Sequence, residues 1–120
     1  MIAGRRVALL VLLVLASLLS TSVARAQGVE SEGRRRWEQG KELYQKGKFL
    51  EAAHEFEAGY AVAPRPLFLL NIGHAYRRAQ ELVKAKAAYE RALRLLGPEV
   101  GEDHPSLRTI RRNLDRLSGS

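Results

Sequence analysis

The chain has 120 residues, room for one small domain. Lysine and arginine number 20 against 13 aspartates and glutamates, a net charge of +7, and there is no cysteine. The absence of cysteine excludes a disulfide framework and thiolate metal sites, so a fold must hold by packing alone.

Residues 1–26 read as an export signal. Arg5 and Arg6 precede the uncharged run VALLVLLVLASLL at 7–19, and Ser20, Thr21 and Ser22 lead to Ala24-Arg25-Ala26. A basic start, an apolar centre and small residues at the two positions a signal peptidase reads are the layout of a secretory signal peptide. Cleavage after Ala26 is the expectation, with a periplasmic or secreted destination. The alternative is a retained membrane anchor, although the strictly apolar run is shorter than the ~20 residues that span a bilayer comfortably. Without residues 1–26, 17 basic side chains face 13 acidic ones and the net charge falls to +4. So modest a charge on an exported domain points away from nucleic acid and towards other proteins.

Residues 27–33, QGVESEG, are polar with two glycines and predict a flexible leader. From Arg34 the pattern becomes helical, with Trp37, Gly40, Leu43 and Tyr44 along one face. Lys46-Gly47-Lys48 breaks it, because glycine takes the left-handed helix end at least cost. A second helix carries Phe49, Ala52, Ala53, Phe56, Tyr60 and Ala63 inward and Glu51, Glu55 and Glu57 outward, and Pro64-Arg65-Pro66 stops it. A third helix, 67–79, opens on Leu67, Phe68, Leu69, Leu70 and Ile72, apolar on most sides and therefore covered on most sides. Gln80-Glu81 is the next turn, without glycine. A fourth helix, 82–96, is expected to bury Leu82, Ala85, Ala88, Tyr89, Ala92 and Leu95 or Leu96, and Gly97-Pro98 ends it. In the last helix, 105–118, Leu107, Ile110, Leu114 and Leu117 form one narrow apolar stripe among Arg108, Arg111, Arg112 and Arg116.

One helix-pair pattern is written twice. Gly40, Ala52 and Phe56 recur as Gly73, Ala85 and Tyr89, each 33 positions on, with a proline closing each unit at Pro64 and Pro98. A fixed period of that length marks stacked repeats. These residues resemble the tetratricopeptide repeat, in which a small residue and an aromatic in the first helix are followed by an alanine and an aromatic in the second. The resemblance covers about 34–98. It implies an all-α fold of antiparallel helical hairpins, two units at about 34–64 and 66–98 with a capping helix at 105–118, as a fragment of a right-handed α-solenoid. Steric logic assigns Gly40 and Gly73 to the closest helix crossings, with Ala52 and Ala85 meeting them from the opposing helix.

In proteins of this family the first helices of each pair line a concave groove for a partner segment. Carried over by position, that face presents Arg34, Trp37, Lys41 and Tyr44 from the first unit and Leu70, Asn71, His74, Arg77 and Arg78 from the second, with Arg108, Arg111 and Arg112 at its border. His74 falls at a position expected to be exposed. Arginine beside tryptophan and tyrosine suits an acidic or carboxylate-bearing protein segment. No nucleophile stands in a recognisable Ser, His and acid context, and no glycine-rich loop follows a strand, so no enzyme is expected. His54, His74 and His104 lie on three different elements without cysteine, so neither a metal nor a cofactor is expected. The reading is a non-catalytic interaction scaffold that meets the membrane only through its first segment. Two repeats are fewer than the three or so that bury a continuous core, which makes a self-assembling envelope module, a homo-oligomer without a peptide ligand, the alternative.

Overall fold

Five helices make up residues 2–119, the part described by this computed structural model, and no strand occurs among the described residues. They are α1 (Ile2–Gln45), α2 (Phe49–Val62), α3 (Pro66–Arg78), α4 (Leu82–Leu96) and α5 (Pro105–Ser118). The chain divides into two compact units, Met1–Ser31 and Glu32–Ser120.

The first unit is helix with its apolar side chains in the open. Val7, Leu9, Leu10, Leu13 and Leu19 are all more than half exposed. The hydroxyls of Ser17, Ser20, Thr21 and Ser22 bond back to carbonyls of the preceding turn, which satisfies polar groups without water. This helix contains a stretch long and apolar enough to cross a membrane, by length and composition.

In the second unit the core joins α2, α3, α4 and α5. Ala52, Ala53, Ala75, Ala85, Tyr89, Ala92, Leu107 and Ile110 are wholly buried, and Phe56, Phe68, Leu69, Ile72 and Tyr76 nearly so. Trp37, Leu43 and Tyr44 pack against this cluster from α1.

The two hairpin turns are built alike. After α1, Gly47 N–H donates to the Tyr44 carbonyl and Lys48 N–H to that of Leu43. After α3, Gln80 N–H donates to the Arg77 carbonyl and Glu81 N–H to that of Tyr76. This double bond pattern closes a helix only when its first donor residue turns left-handed. Gly47 does so at φ 77° and Gln80 at φ 62°. The strain at Gln80, about 1 to 2 kcal/mol for a side chain in that region, exceeds the extra unfolded-chain entropy of a glycine, about 0.5 to 1 kcal/mol. Gln80→Gly is therefore expected to stabilise the unit by about 0.5 to 1 kcal/mol, read as a higher urea midpoint, and Gly47→Ala to lower it.

Several details depart from the sequence reading. Residues 27–33, expected as a flexible leader, are helical and belong to α1. Glu32 takes two bonds from Arg35 and one from Arg36, and the buried Gly33 lies where a Cβ would come within 2.8 Å of the Ala63 Cβ. Local ion pairs and that close approach outweigh the propensity cost of a glycine in a helix, about 1 kcal/mol. Gly40 and Gly73 are seats for aromatic rings: the nearest atoms to a Cβ there are those of Phe56 and Tyr89, not of Ala52 and Ala85. Gly59 is buried where the Phe68 ring fills the space that a side chain would need. Leu82 and Leu95 of α4 are partly exposed, while Leu96 is buried. Glu55 is half-buried because it accepts from Arg36 at 2.9 Å, tying α1 to α2.

Candidate functional site

The nine residues expected on a concave face do not share one environment. Arg34 is exposed. Lys41 is exposed too and held by Glu38 at 3.1 Å, an i,i+3 pair of little energetic weight. Trp37 is half-buried and packs edge-on against Phe56, centroids 5.6 Å apart, and Phe68, 5.2 Å apart. Its ring is mainly a core filler. Leu70 also packs against the core, and Asn71 bonds back to the Leu67 carbonyl at 3.4 Å within its own helix.

Tyr44, His74 and Arg77 do come together, around the Tyr89 hydroxyl. The tight turn between α3 and α4 brings the Tyr89 ring against Gly73, with its hydroxyl beside His74, the next residue of α3. There His74 Nδ1 is 2.7 Å from the hydroxyl, with the rings edge to face at 5.5 Å. His74 is thus half-buried and engaged, where the sequence reading expects an exposed side chain. Burial, with the Arg77 charge beside it, holds its imidazole below the ordinary value. Burial also raises the Tyr89 phenol, against a hydrogen bond from Arg77 that lowers it, and Tyr44 is near enough to add to the rise. The Arg77 Nε is buried without a hydrogen-bond partner, a donor whose desolvation is uncompensated.

Arg78 sits apart, its guanidinium 4.7 Å from the centre of the Phe49 ring, which Tyr44 meets edge-on from another side at 5.0 Å. Arg108 and Arg112 are exposed on α5, and Arg111 is clasped by Glu102. His104 is the N-cap of α5, its Nδ1 accepting from Ser106 N–H at 3.2 Å. Among the described residues no three His, Cys, Asp or Glu side chains gather as metal ligands would.

Two clusters escaped the sequence reading. On one, Tyr76 donates to Glu57 at 2.7 Å and lies under the Lys84 ammonium, 5.3 Å from its ring centre. Burial, then Glu57, pushes the Tyr76 phenol far above its ordinary value. The other is the His74 and Tyr89 pair. A signal existed for it: 33 positions after Phe56 the chain has Tyr89, and a buried phenol needs a partner for its hydroxyl. Set against known proteins, the chain matches no family model, no curated protein and no solved structure.

Proposed function

We propose that the chain is a non-catalytic protein-interaction scaffold of the tetratricopeptide type, exported by its first helix, that binds an acidic segment of another protein on the face carrying Tyr44, His74, Arg77 and Arg78. The repeat reading is supported by geometry that recurs 33 residues apart: the same left-handed turn at Gly47 and Gln80, and the same ring-on-glycine contact at Gly40 and Gly73. The exported destination is supported by the apolar helix of the first unit, with cleavage after Ala26. The observation that carries the binding reading is the pair of cations in the last turn of α3, half-buried Arg77 and exposed Arg78, with the Arg78 guanidinium over the Phe49 ring that Tyr44 also meets. A carboxylate would meet the accessible parts of these guanidinium groups in charge-assisted bonds.

The test is fluorescence anisotropy with a labelled decaglutamate peptide and the full-length chain in mild detergent. Arg77→Ala with Arg78→Ala should weaken binding about tenfold or more, since each charge-assisted bond contributes about 1.5 to 3 kcal/mol. Equal binding by both proteins, or no saturable binding by either, would refute the assignment of this face.

A further inference from the structure

We infer that His74 is an acid-responsive latch across the α3/α4 hairpin, which holds Tyr89 over Gly73 while neutral and loosens that hairpin when protonated. Valence sets the direction. Arg77, three residues along the same helix, is a cation that only donates; its charge favours a phenol that turns its oxygen towards that side and its proton to His74 Nδ1, 2.7 Å away. A neutral imidazole with its proton on Nε2 accepts that phenol proton. A second proton makes Nδ1 a donor as well. The phenol proton then loses its acceptor, and an imidazolium is placed in a half-buried site beside a guanidinium.

The surroundings offer nothing to offset that charge. On α3 the neighbouring charge is Arg77, with Arg78 turned onto Phe49. From α4 comes the neutral Tyr89, from α1 the neutral Tyr44 near it, and α5 contributes apolar Leu107 and Ile110 to the same core. The carboxylates of Glu57 and Glu55 are engaged by Tyr76 and by Arg36. Because the folded pKa lies below the ordinary 6.5, the unfolded chain takes the proton first. Stability is full above that value and is lost as pH falls towards the folded-state value. Glu32 and Glu42, both held below the ordinary carboxylate range by their arginine and lysine partners, titrate at lower pH.

The latch would regulate the face that bears Arg77, so its functional meaning rests on the binding reading above, while its effect on stability does not. The experiment follows urea unfolding of the full-length chain in mild detergent from pH 8 to pH 5. A His104→Asn background removes the other half-buried histidine while keeping a capping side chain. In that background the unfolding constant should rise with acid by up to about tenfold per pH unit, the limit for one proton. Adding His74→Asn, which keeps an acceptor for the phenol but does not titrate, should flatten the response. An acid response that persists with His74→Asn would overturn the latch, as would an NMR titration of His74 in the unmutated chain giving an ordinary or raised pKa. Decaglutamate binding at pH 7.5 separates the two ideas. A flat stability profile with binding intact sinks the latch alone, and an acid-sensitive profile without binding sinks the binding face alone.

Discussion

Tyr89→Ala is expected to destabilise the helical unit by about 3 to 5 kcal/mol, the usual cost of truncating a large buried aromatic. The ring is fully buried. It fills the space that Gly73 leaves on α3, and its hydroxyl meets His74. A domain of this size has only about 5 to 15 kcal/mol of stability in total, so the variant should sit near the threshold of folding. Tyr89→Phe separates ring from hydroxyl. It should cost about 1 kcal/mol, because half-buried His74 can turn to water once the phenol is gone. Urea midpoints of the full-length chain in detergent, followed by far-ultraviolet circular dichroism, measure both. A midpoint for Tyr89→Ala within error of the unmutated chain would mean that the ring is not a keystone of the α3/α4 pair.

The all-helical class was legible because punctuation and period agree. Gly47, Pro64, Pro66 and Gly97 are strong local signals, and they stand between stretches whose small and aromatic residues repeat at helical spacing. The turn at Gln80 was harder to read, because glutamine carries no left-handed preference. There the packing of Tyr76 and Ala85 imposes a conformation that the local sequence does not favour. The helical state of residues 27–33 was not legible at all. Two glycines and polar neighbours speak for a coil, and the contacts that decide otherwise, Gly33 against Ala63 and Glu32 with Arg35, depend on residues distant in sequence or on rotamers.

The proposed binding face was legible only by position, and position says which helix edge a residue occupies, not what its side chain meets. Trp37 and Leu70 share that edge with His74 and Arg77, yet the aromatic rings of Phe56 and Phe68 draw Trp37 inward. Where Lys41 and Phe56 stand in one hairpin, His74 and Tyr89 stand 33 positions on and form a polar pair across α3 and α4. That difference sets the α3/α4 hairpin apart from the one before it.

Gly73→Ala should destabilise the unit by about 1 to 2 kcal/mol, although alanine is the better helix former. In an unhindered helix the exchange would stabilise by about 1 kcal/mol. Here the added Cβ would stand 2.6 Å from the nearest Tyr89 ring atom, against the roughly 3.5 to 4.0 Å at which carbon atoms rest. Overpacking of that kind costs about 1 to 3 kcal/mol, more than propensity returns. Gly40→Ala meets the Phe56 ring at 2.5 Å, but Phe56 is held by packing alone, whereas Tyr89 is also fixed at its hydroxyl. The Phe56 ring can therefore yield more easily, and Gly40→Ala should be the milder change. Gly101, exposed and with nothing near its Cβ position, is the control, and its replacement by alanine should fall within about 0.5 kcal/mol of zero. The decisive measurement is a double-mutant cycle. If the clash with the ring is the cause, Gly73→Ala combined with Tyr89→Ala should cost clearly less than the sum of the two, with a coupling of about 1 kcal/mol or more. Simple additivity would place the cost of Gly73→Ala elsewhere in the helix, and the contact between glycine and ring would no longer explain why both units keep a glycine at that point.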